Sequence, residues 1–152
     1  MKLCECLLEN CVFFELKARD KWSFFKEVAP ALAKALGKPP EEIQRLLEER
    51  ERLGTTAIGQ EIAIPHCRLP GLEHIAIVVA IQRNGIDFEA LDKQAVKIIF
   101  IILAPDNESQ PYLRVLAYMS RLLKNDHFKK KLLACKTPQE VKKILSEVDY
   151  EF

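Results

Sequence analysis

The sequence predicts an α/β fold in which a central sheet is covered by helices on both faces. Two runs of strand length, residues 75–82 (Ile-Ala-Ile-Val-Val-Ala-Ile-Gln) and 96–103 (Val-Lys-Ile-Ile-Phe-Ile-Ile-Leu), are almost continuously apolar. Such runs are the mark of strands buried on both sides. The segments around them carry apolar residues at helical spacing, with capping residues at their ends, so helices are available to cover both faces. A chain of 152 residues is long enough for one sizeable core, and the predicted organisation is a single domain over residues 1–152.

Taken in order, residues 3–8 and 12–14 are short apolar patches compatible with either helix or strand. Asp20 can cap a helix over residues 21–36, with Trp22, Phe25, Val28, Ala29, Leu32 and Leu36 on its inner face and Gly37 as its stop. Pro39-Pro40-Glu41-Glu42 opens a second helix reaching about Leu53, because proline tolerates the first turn and acids suit the positive end of the helix dipole. Its apolar stripe is Ile43, Leu46 and Leu47, and Arg50 follows along that face. Glu48, Glu49, Glu51 and Arg52 are expected on a solvated face. An inward guanidinium needs a partner, either an acid at the edge of the core or an anionic group.

Leu69-Pro70-Gly71 is a turn before the first apolar run, and Asn84-Gly85 signals another after it. Ile86-Asp-Phe88 begins a further short segment. After the second run, a loop over residues 104–110 leads to a helix from Pro111 to about Leu123, with Tyr112, Leu116, Met119 and Leu123 inward. Tyr112 thus falls in a first turn, where free amides favour anions. Asp126 starts a short helix through Phe128, Leu132 and Leu133, and Thr137-Pro-Gln-Glu140 is a capping box for a last helix with Val141, Ile144 and Leu145 inward.

Composition excludes several functions. A formal net charge of +1 gives no reason to expect nucleic acid as the main partner. No apolar stretch approaches a membrane span or the core of a signal peptide, so the expected location is the cytoplasm, without membrane insertion. The five cysteines are an odd number, and three crowd together at Cys4, Cys6 and Cys11, which favours free thiols over a disulfide framework. Their spacing matches no common zinc pattern.

The chemistry points to His66. It follows Ile62-Ala-Ile-Pro65, so a proline sets the backbone at the end of a short apolar segment and presents an imidazole that can act as a nucleophile near neutral pH. The hydroxyls of Thr55 and Thr56 and the cation of Arg68 lie within a few residues. Such donors suit a phosphoryl group better than a metal, which would want further His, Cys or carboxylate ligands at regular spacing. Cys67 faces the other way on an extended chain, so a Cys-His pair is disfavoured. His74, in a loop, and His127, in a helical first turn, read as surface residues.

These segments together resemble a known family. Arg50-Glu51, Leu53-Gly-Thr-Thr-Ala-Ile-Gly59, Ile62-Ala-Ile-Pro-His66, Ile86-Asp-Phe88, Leu103-Ala-Pro105 and the helix over residues 113–123 resemble the enzyme IIA domain of the bacterial phosphotransferase system, in its fructose/mannitol and nitrogen-regulatory branch. The resemblance spans about residues 5–148, and its most specific part is the block from Arg50 to His66. It implies a three-layer α/β/α sandwich around a mixed sheet. It also implies that His66 accepts phosphate from an HPr-like phosphocarrier, with a IIB domain or a regulatory target downstream. Arg50, Thr56, Tyr112 and Arg68 would stabilise the phosphate, with no metal and no cofactor. Arg68 after the histidine, without an attached membrane or IIB domain, looks more like the stand-alone nitrogen-regulatory type than a subunit of a sugar permease.

Three positions depart from the family pattern. Tyr112 stands where a second histidine is usual, and it offers a neutral donor in place of a ring nitrogen or a cation. Glu61 and Cys67 each replace a glycine. A carboxylate at 61 would oppose a dianion if it pointed toward it. The alternative these changes leave open is a binding module of the same fold that no longer takes up phosphate.

Overall fold

The computed structural model describes residues 1–107, 110–148 and 150–152. The elements are α1 (Leu3–Cys6), β1 (Leu7–Phe14), α2 (Lys21–Leu36), α3 (Pro40–Arg52), β2 (Ala57–Gly59), β3 (Ile62–Ala63), β4 (His66–Arg68), β5 (Ala76–Ile86), β6 (Val96–Ala104), α4 (Gln110–Leu122), α5 (Asp126–Ala134) and α6 (Pro138–Ser146). The expected loop over residues 104–110 includes Glu108 and Ser109, which lie outside the described residues.

The sheet is mixed, as expected. Its strands run in the order β1-β5-β6-β3-β2, with β4 also paired to β6. The β5–β6 and β2–β3 pairs are antiparallel, whereas β1–β5, β3–β6 and β4–β6 are parallel. Alternation along β5 and β6 divides the core in two. Ile77, Val79, Ile81, Ile98, Phe100 and Ile102 face the cluster built with α1, α4, α5 and α6. Ala76, Val78, Ala80, Ile99, Ile101 and Leu103 face the cluster built with α2 and α3. Each large side chain removed from water in these layers contributes about 1.5–3 kcal/mol, which is why residues 76–81 of β5 and 98–104 of β6 are apolar on both faces.

Local signals set the helix ends. The Asp20 carboxylate accepts the Ser23 amide at 2.8 Å, and Gly37 closes α2 with φ 67°, a left-handed geometry that suits glycine. The buried face of α2 includes Phe24, and Phe24 and Phe25 both pack edgewise on Phe88. Trp22 and Leu36, expected inside, are half-buried.

One predicted turn is absent. β5 runs through Asn84 and Gly85 to Ile86, with an irregular register between Ile81 and Ile86. Gly85 is buried at φ 84°, and a Cβ there would meet the Ala95 Cβ at 2.6 Å. Asn84-Gly85 therefore accommodates a close approach within the β5–β6 pair, where the sequence had suggested a reversal. The reversal comes later, between β5 and β6.

Candidate functional site

His66 sits where the sheet stops. β3 and β4 lie one after the other alongside β6, with Ile64 and Pro65 between them. β2 continues the sheet beyond β3, whereas the pairing of β4 is with β6. Pro65 accepts the Ile102 amide through its carbonyl at 2.9 Å, so the break in the strand does not detach it from the sheet. Alternation resumes on the far side. Cys67 enters the α2/α3 core, while His66 and Arg68 turn toward Tyr112 at the start of α4.

The imidazole is held at both nitrogens. Nδ1 lies 2.8 Å from the Ile64 carbonyl, which can only accept, so Nδ1 carries the hydrogen. Nε2 receives the Arg50 Nε–H at 3.3 Å, which assigns its lone pair. Arg50 is half-buried, and its Nη1 donates to the Gly54 carbonyl at 3.0 Å. Burial lowers the His66 pKa below its ordinary value, and the positive charge of Arg50 lowers it further. The Ile64 hydrogen bond and the charge of Glu51 act in the opposite direction. The result is a neutral ring with a defined, basic Nε2.

Of the residues singled out in the sequence, Arg50, His66, Arg68 and Tyr112 line one open groove. The Arg68 guanidinium lies 5.0 Å over the Tyr112 ring and donates to the Pro105 carbonyl at 3.2 Å. Tyr112 meets His66 edge-on with ring centres 6.0 Å apart. Burial, first among its causes, pushes the Tyr112 phenol up to about 12, so it remains a neutral donor. Leu53 and Leu113 stand 84% and 59% exposed on the rim, so the groove opens onto apolar surface.

Thr56 is not in that groove. It is buried, and its hydroxyl donates to Glu51 Oε1 at 2.6 Å while its amide donates to Oε2 at 2.8 Å. Its single hydroxyl proton is therefore given to a carboxylate outside the groove, where a place beside the phosphate was expected. Glu51 itself is 2% exposed and ion-paired to the buried Lys21 at 3.2 Å, whereas a solvated position was expected. A signal for this was present. Glu51 stands eight residues after Ile43 and four after Leu47 on the same helical stripe.

The remaining departures are resolved by contacts. The Glu61 carboxylate pairs with Lys97 at 2.8 Å and Lys129 at 3.5 Å, and Lys97 is the first cause of its lowered pKa. Its charge is thus compensated away from the groove. The Cys67 thiol is buried, and burial pushes it up to about 12, which removes it as a nucleophile. Cys6 and Cys11 belong to opposite cores, so those two thiols face different layers. His74 and His127 are exposed.

Comparison with known proteins finds relatives along nearly the whole chain. Residues 5–148 match the family described as "Phosphoenolpyruvate-dependent sugar phosphotransferase system, EIIA 2". A nitrogen regulatory protein of Bradyrhizobium diazoefficiens is 34% identical over 146 residues, covering 96% of this chain and 95% of the relative. The fructose-specific EIIABC component of Bacillus subtilis is 28% identical over 151 residues, 98% of this chain but 24% of that longer protein. Among solved structures, the nitrogen regulatory protein IIA-Ntr of Neisseria meningitidis superposes with a TM-score of 0.87 at 27% identity, covering 94% of this chain and 98% of that one. No helix among the described residues is long and apolar enough to cross a membrane.

Proposed function

The chain belongs to the EIIA 2 family of the phosphoenolpyruvate-dependent sugar phosphotransferase system, and from that premise we propose that it takes a phosphoryl group on His66 Nε2 from an HPr-like phosphocarrier, in a relay of the nitrogen-regulatory type. The observation that carries this reading is the pair of hydrogen bonds on the imidazole. Ile64 fixes the hydrogen on Nδ1, and Arg50 meets the lone pair on Nε2. A ring fixed in this way offers one nucleophilic atom, on an edge strand, beside a cation.

The transfer balances without an external base. Nε2 attacks phosphorus in line, the new N–P bond forms, and the bond to the carrier's imidazole nitrogen breaks with its electron pair returning to that nitrogen. The proton on Nδ1 stays in place. The ring gains positive character as it is phosphorylated, and the Ile64 carbonyl stabilises that charge through a bond already made. Arg50 leaves the lone pair and turns its guanidinium to the phosphoryl oxygens, while Arg68 adds a second cation on the Tyr112 side. The exposed Leu53 and Leu113 give a carrier apolar contact around the acceptor.

The test is incubation with phosphoenolpyruvate, enzyme I and the HPr-like carrier. The chain should gain one phosphoryl mass, and His66→Ala should abolish that gain. A wild-type chain that binds the carrier without gaining mass would return it to the class of binding modules, and would single out Tyr112, in place of a second ring nitrogen, as the residue to revert to histidine. The nitrogen-regulatory assignment rests on full-length similarity to proteins of that description. Its rival, a sugar-permease role, would be supported instead by transfer from this chain to a IIB domain of fructose or mannitol type.

A further inference from the structure

Resting on the reading of His66 as phosphoryl acceptor, we propose that Glu51, braced by Lys21, is the positioning residue of the site: through Thr56 and the turn after α3 it sets the partners of both imidazole nitrogens. Glu51 touches neither the ring nor the groove. Besides the charge it exerts on His66, it acts through two short chains of hydrogen bonds.

The first chain reaches Nε2. The Glu51 main-chain carbonyl accepts the Gly54 amide at 3.1 Å, and its side chain holds both donors of Thr56. The turn between Leu53 and Thr56 is therefore pinned at each end by one residue. Inside that turn the Gly54 carbonyl receives Arg50 Nη1, and the other edge of the same guanidinium lies on His66 Nε2. The second chain reaches Nδ1. The Thr56 carbonyl accepts the Ile64 amide at 3.0 Å, and the Ile64 carbonyl receives the Nδ1 hydrogen. One residue, through its carboxylate and its main-chain carbonyl, thus supports the groups that meet both ring nitrogens.

The physical cost of the arrangement suggests a use. Lys21 and Glu51 are 3% and 2% exposed, and a buried ion pair is weak evidence for stability because apolar residues of similar volume commonly do as well. What apolar residues could not do is accept two directed hydrogen bonds from Thr56. Glu89, 3.5 Å from Lys21 and largely exposed, faces the ammonium from the outside, while Glu51 Oε2 accepts Lys21 Nζ at 3.2 Å alongside the Thr56 amide and Oε1 accepts the Thr56 hydroxyl.

Thr56→Val and Thr56→Ser carry the test, since valine keeps the shape without the hydroxyl and serine restores the donor. We expect Thr56→Val to lower the turnover of phosphorylation on the order of tenfold to a hundredfold, the scale of a small misplacement of a reacting group, with KM for the phosphorylated carrier unchanged. Thr56→Ser should recover the rate. Glu51→Gln should fall at least as far as Thr56→Val, and if it does not fold the threonine pair decides alone. A second readout needs no phosphotransfer. The 15N resonances of His66 should show a single Nδ1–H tautomer with Nε2 hydrogen-bonded in the wild type and in Thr56→Ser, and a mixture in Thr56→Val. Unchanged turnover together with an unchanged tautomer in Thr56→Val would overturn the proposal, as would a loss confined to KM. If the wild type takes no label, the carrier reading fails, and the resonances alone still decide whether Glu51 positions the ring.

Discussion

Replacing Arg50 with alanine separates two effects that the guanidinium exerts on His66. The first is on protonation. Arg50 is one of the groups holding the ring's pKa below its ordinary value, so its removal lets that pKa rise. Even a complete return to 6.5 would leave about nine-tenths of the ring neutral at pH 7.5, so protonation can cost only about a tenth of the rate. The second effect is on the transferring phosphoryl group, whose oxygens lose an oriented cationic donor. Removing one such donor costs about 10²–10³ in rate, or ~3–4 kcal/mol. The second effect dominates by two orders of magnitude. Arg50→Ala should therefore slow single-turnover phosphorylation about a hundredfold or more at pH 7.5, while thermal stability changes by less than about 1 kcal/mol because the side chain is half-exposed. Arg50→Lys should fall between the two, because lysine keeps the charge and loses the fork. The assay is rapid-quench labelling by the phosphorylated carrier, followed by intact mass. A rate within twofold of wild type in Arg50→Ala would refute the role given to the guanidinium.

Other expectations follow from the same contacts. Because burial first, and Arg50 after it, depress the His66 pKa, phosphorylation should rise with pH to a plateau with its midpoint below 6.5, and a midpoint at or above 6.5 in an NMR titration of the ring would contradict the assignment. The linked stability has a definite sign. The unfolded chain takes up the proton first, so the contribution is complete above 6.5 and is lost as pH falls toward the folded value, which acid titration of the melting temperature checks. Native protein should leave Cys67 unmodified by a thiol reagent that reacts after unfolding, and Cys67→Ser should cost about 1–3 kcal/mol for a hydroxyl placed in the α2/α3 core. Phe88→Ala, which removes the ring packed on both Phe24 and Phe25, should cost about 3–5 kcal/mol in chemical denaturation.

Sequence reasoning reached the parts of this molecule in which each residue reports its own surroundings. The apolar run of β6 could be read because all its large apolar side chains are buried, and α2 because Asp20 and Gly37 mark its ends chemically. β1 could not be typed. Its register with β5 shifts between Leu7 and Val12, so the polar Glu9 and Asn10 interrupt the period of two that would have revealed a strand. Asn84-Gly85 misled for a related reason. The glycine answers to the crowding of Ala95 across the sheet, which no local rule contains.

The site shows the same division more sharply. His66 and Arg50 were legible because a proline-set strand end and an inward arginine are each unusual by themselves. Thr56 lies near His66 in sequence and at a family position, yet distance along the chain does not tell which acceptor takes its proton. That acceptor, Glu51, is buried, and Ile43, Leu47 and Glu51 follow one another at intervals of four on α3. A carboxylate carried inward on an apolar stripe must find donors, and the donors here are Lys21 from α2 and both polar groups of Thr56. The burial of Glu51 and the contacts of Thr56 have one cause. Had Glu51 been placed inward by its period, the need to satisfy its oxygens would have drawn Thr56 away from the phosphate and into the support of the ring.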